Sequence, residues 1–84
     1  MEEVNLKQFL IEIGIRQEAA ELIDLAFPHP KQIRVFKRLT KMMMNSGKHP
    51  KEAVAETWMM CWEVSKRRVL HSGPKPTQAY IDML

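Results

Sequence analysis

The sequence predicts an all-α fold, a compact bundle of four to five helices with a central, mostly buried helix near residues 50–70. Three observations carry that prediction. From Ala53 to Val64, nine of twelve residues are apolar, interrupted only by Glu56, Thr57 and Glu63; a helix apolar over so much of its circumference is usually buried on most sides. Elsewhere the apolar residues recur at spacings of three and four, the helical period, and do not alternate as in a half-buried strand. Three glycines and five prolines leave too few turn residues for a small all-β fold.

The elements follow in order. Asn5 is placed to cap the first helix, its side chain accepting from first-turn amides, and Gln8 three residues later would complete a capping box. Leu6, Phe9, Leu10 and Ile13 then form one apolar stripe. Gly14 suits the left-handed residue that ends such a helix, and Ile15 can fold back onto its last turn. A second helix, residues 16–27, sets Ala19, Leu22, Ile23 and Ala26 against Glu18, Glu21 and Asp24, and Pro28 and Pro30 close it. Pro30 is pre-organised to start a third helix, residues 30–45, whose inner face is Ile33, Phe36, Thr40 and Met43, widened by Leu39 and Met44. Asn45-Ser46-Gly47 stops it. Pro50 opens the central helix, with both tryptophans, Trp58 and Trp62, one turn apart and the single cysteine, Cys61, between them. Its last turn carries Lys66, Arg67 and Arg68, which suits the negative end of the helix dipole. Gly73-Pro74-Lys75-Pro76 breaks the chain, dividing a bundle over residues 1–72 from a hinged helix or arm over 73–84, capped by Thr77.

Charge is strongly local. Residues 1–24 hold six acidic and two basic side chains, residues 25–51 hold seven basic and none acidic, and residues 52–84 hold four of each. The basic excess concentrates on the third helix, where Arg34, Lys37, Arg38 and Lys41 recur three and four apart and emerge on one side. That stripe is the expected site for a partner or for phosphates. The structural alternative is a solvated helix face, partly neutralised by the acidic second helix. Five of seven methionines fall in two clusters, Met42 to Met44 and Met59-Met60. Three in a row cannot all face inward, so Met42, Met44 and, in the tail, Tyr80 are the expected apolar interface.

The first two helices, joined at Gly14-Ile15, have the rhythm of a helix-turn-helix. Leu10, however, stands where that motif usually has a small residue, and Glu18, Glu21 and Asp24 would face the phosphate backbone and repel it. The phrase FLIEIGI resembles the opening of a sterile-alpha-motif domain over that stretch alone, without the family's later landmarks.

Catalytic apparatus is not expected. His29, His49 and His71 stand far apart in sequence, and neither they nor Cys61 make the close ligand pairs of a metal site. There is no Gly-rich phosphate loop, and no cofactor, metal or small-molecule substrate is indicated. No run of about 18 apolar residues implies a membrane span, and the acidic N-terminus and lone cysteine suit a cytoplasmic protein. The expected function is a small non-enzymatic regulatory protein docking on a macromolecule, most readily another protein or a second copy of itself. Nucleic-acid binding through residues 31–41 is the alternative. The size and polarised charge would also suit a phage or plasmid accessory protein.

Overall fold

The computed structural model describes residues 5–27, 29–67 and 75–84. These form five helices and no strand: α1 (Leu6–Glu12), α2 (Gln17–Ala26), α3 (Pro30–Asn45), α4 (Pro50–Arg67) and α5 (Gln78–Asp82). The radius of gyration is 11.7 Å, against about 12 Å for a compact domain of this length. The all-α bundle expected from the sequence is the observed architecture.

Local chemistry sets the helix ends. The Asn5 side chain accepts from the Gln8 amide at 2.8 Å. A complete capping box stands instead at α3, where the His29 side chain accepts from the Gln32 backbone and the Gln32 side chain accepts from the His29 amide. Two glycines end helices in the same way. At Gly14 (φ +100°) the Ile15 amide reaches back to the Leu10 carbonyl at 2.9 Å, and at Gly47 (φ +106°) the Lys48 amide reaches the Met43 carbonyl at 3.1 Å. Both close the last turn in a Schellman motif, which needs a left-handed residue that a side chain would strain.

The helices pair in chain order. α1 packs on α2, and α3 packs on α4 across the short turn at residues 46–49. The Thr57 hydroxyl of α4 lies 3.7 Å from the Met43 sulfur of α3, near that turn. One core joins both pairs: Leu6, Phe9 and Leu10 from α1, Ala19, Ala20 and Ile23 from α2, Phe36 from α3, and Val54, Trp58 and Trp62 from α4. Phe27 and Phe36 meet with ring centroids 5.5 Å apart, tilted as aromatic quadrupoles prefer. The tail closes on the same core. Tyr80 stacks on Trp58 with centroids 6.1 Å apart, and Leu84 is buried beside them. The hinge expected at residues 73–74 lies outside the described residues.

Not every apolar residue is covered. α4 buries Ala53, Val54, Trp58 and Trp62, yet Met59, Met60 and Val64 stay exposed, as do Val35 and Met42 on α3. The core also holds polar atoms without a protein partner among the described residues, the Thr40 hydroxyl and the Trp58 indole N–H.

Two stability predictions follow from this packing. Trp58→Ala removes the largest fully buried side chain and should cost about 3–5 kcal/mol, a large part of what a small domain has. Denaturant unfolding should show a matching fall in midpoint. Thr40→Val replaces an unpartnered buried hydroxyl with a methyl and should raise stability by about 1 kcal/mol in the same assay.

Candidate functional site

α3 presents three distinct sides. Phe36 and Thr40 are buried, with Ile33 and Met43 half-buried beside them. Lys31, Arg34, Arg38 and Lys41 are exposed along a basic ridge, with Lys37 half-buried at its margin. A third line, Val35, Leu39 and Met42, runs at i, i+4 and i+7, which sets the three residues above one another on one side of a helix. Val35 and Met42 are 50% and 58% exposed. With the half-buried Leu39 between them, they form an apolar stripe that the described residues leave largely uncovered.

Across from that stripe, α4 contributes Met60, Cys61 and Val64, again at i and i+4 spacing. Together with Val35 and Leu39 these walls enclose a groove of about 750 Å³, and His29, Pro30, Lys31 and Arg34 line its end and basic bank. The groove exists because the α3–α4 pair turns one flank to the core and, among the described residues, has nothing packed on the other. Its chemistry is an apolar floor with cations along one edge.

The four expected basic residues do not behave alike. Arg34 and Arg38 project into solvent, one turn apart. The Lys41 ammonium lies 5.8 Å from the centroid of the Phe9 ring, leaning toward α1. Lys31 extends the exposed ridge at the same spacing and lines the groove, a role its 31-34-38 periodicity could have shown. The expected apolar interface is divided as well. Met42 lies on the exposed stripe, Met44 is half-buried, and Tyr80 is half-buried on Trp58.

Among the described residues no ion pair joins the acidic second helix to Lys31, Arg34 or Arg38. Glu21 accepts from Lys7 at 3.0 Å and from Gln17 at 3.2 Å. The hydrogen bond from Lys7 holds its carboxyl below the usual carboxylate range, helped by Gln17 and by the Lys7 charge. Glu56 is taken by Lys48. Among the described residues, none of Lys31, Arg34 and Arg38 meets a carboxylate.

The described residues contain no group of three or more His, Cys, Asp or Glu side chains able to hold a metal ion. The His29 side chain is engaged as a helix cap, and His49 Nδ1 accepts from the Lys51 amide at 3.2 Å. His71 lies outside the described residues. Burial pushes the Cys61 thiol up to about 11, away from the thiolate that a nucleophile requires. Among the described residues no helix is long and apolar enough to cross a membrane.

The Cys61 environment gives a measurable outcome. At neutral pH its alkylation should run about a hundredfold slower than that of the unfolded chain, because the folded thiol holds far less thiolate. The unfolded thiol titrates first, so this group's stabilising contribution, present below its unfolded value near 9, should be lost as pH rises from there toward 11. Iodoacetamide labelling with and without denaturant, across alkaline pH, checks both. No family model, curated protein or solved structure matches the chain, and the site's own residues carry the functional argument.

Proposed function

We propose that the chain is a small non-enzymatic binding module that docks on a partner protein through α3, using the basic ridge and the apolar stripe beside it. The observation that supports this reading most directly is their adjacency. Lys31, Arg34 and Arg38 border Val35, Leu39 and Met42 along one helix, and the stripe continues into a groove with α4. A protein interface combines an apolar centre with a polar rim of this kind. Arginine and methionine, both enriched in interfaces, stand at the rim and on the floor.

Nucleic-acid binding through Arg34, Lys37, Arg38 and Lys41 is the second reading, favoured by the exposure of Arg34 and Arg38 away from any described carboxylate. It accounts for less of the surface. A phosphate backbone on the ridge would leave the apolar stripe in water, and among the described residues the groove is lined by no Phe, Tyr or Trp on which bases would stack.

The two readings separate on salt. Phosphate binding by three exposed cations should give a log–log salt slope of roughly −3, so labelled duplex and single-stranded oligonucleotides should bind tightly at low salt and weaken steeply. The protein reading expects only feeble oligonucleotide binding near physiological salt. It also expects a photo-crosslinking residue at Val35 to mark one recurrent protein, the yield falling several-fold in the Arg34→Glu/Arg38→Glu variant. Tight oligonucleotide binding abolished by that same variant would overturn the protein reading. Crosslinking of one copy to another would make the partner a second copy of this chain.

A further inference from the structure

We infer that the groove between α3 and α4 receives an amphipathic helix of a partner protein, one whose apolar face is flanked by carboxylates; this rests on the protein-docking reading above. The shape argument comes first. Val35 and Leu39 make one bank of a channel, Met60 and Val64 make the other, and both run along helices that lie side by side. A channel between two helices is the seat a third helix takes, with anchors at i, i+4 and i+7 set into it. From Lys31 to Leu39 the α3 bank spans about two turns, roughly 12 Å, enough to seat about eight residues of a partner helix. A groove of about 750 Å³ has room for several aliphatic anchors. The flexible side chain of Met60 can adjust to them.

Charge then selects the kind of helix. The α3 bank carries Lys31, Arg34 and Arg38 one turn apart, and residues 25–51 contain no acidic side chain at all. Glutamates or aspartates flanking the partner's apolar face would meet cations at each turn, whereas a basic helix would be repelled along the same length. A second copy is a poorer occupant of this seat. A two-fold pairing uses the same patch on both copies, so groove on groove would bring two basic ridges together.

The test is a titration of the full chain with synthetic helical peptides, followed by backbone amide chemical shifts. One probe carries leucines at i, i+4 and i+7 with glutamates beside them; a second has lysines in place of the glutamates, and a third is the acidic peptide with a central proline. The acidic helical peptide should shift residues 31–42 and 60–64 and bind about tenfold more tightly than either control. Val35→Asp, at an exposed position that does not threaten folding, should weaken it by about tenfold or more, since it sets a carboxylate into the apolar floor. Arg34→Glu should weaken the acidic peptide about fivefold and strengthen the lysine peptide, a reversal that loss of structure would not give. Equal binding of the proline peptide, or indifference to Val35→Asp, overturns the helix-in-groove inference while leaving protein docking through the ridge in place. If no peptide moves the groove resonances at about 1 mM and an oligonucleotide does, both the inference and the docking reading fall.

Discussion

The Trp58 indole lies fully buried in a cluster to which the first four helices and Leu84 contribute, with Tyr80 of α5 stacked on it. In an 84-residue chain a single side chain of that size organises much of the available core, because small domains bury a lower fraction of their surface than large ones. Placing Trp58 inward fixes the rotation of α4 about its own axis. That rotation brings Val54 and Trp62 inward with it, and it obliges Met59, Met60 and Val64 to face out. The uncovered flank of α4 is therefore a consequence of how the core is filled. The α1–α2 pair and α5 cover the side they reach, and among the described residues no further helix lies over the groove.

Much of the fold was legible because the helix punctuation is written in residues with few alternatives. Asn5, Gly14, Pro30, Gly47, Pro50 and Thr77 each do locally what their chemistry favours, and the helix limits fall where they stand. The capping box at α3 was harder to see. It uses a histidine in place of the usual short hydroxyl or amide side chain, and pattern reading centred on Ser, Thr, Asp and Asn passes over it.

The candidate site was half legible. Periodicity alone marks a basic ridge on α3, but it does not say which cations lean on neighbours. Lys41 turns toward the Phe9 ring of a helix some thirty positions earlier, a contact no local pattern contains. The apolar stripe Val35-Leu39-Met42 was in the sequence as plainly as the buried one, and the two look alike until something shows which is covered. Tyr80 shows the same limit: nothing local in the short tail tells that the ring stacks on Trp58 and is half-buried there. What decides each case is tertiary packing, which intrinsic pattern does not encode.

The order in which the helices pair also bears on how the chain reaches this state. α1 meets α2 and α3 meets α4, each across a turn of a few residues, and two of those turns are set by glycines already suited to the left-handed conformation. Each hairpin can form with little loop-closure entropy to overcome before its own contacts begin to stabilise it. Only the docking of one hairpin on the other, with α5 settling over Trp58, joins distant parts of the chain. Assembly on the microsecond-to-millisecond scale is what such mostly local wiring implies.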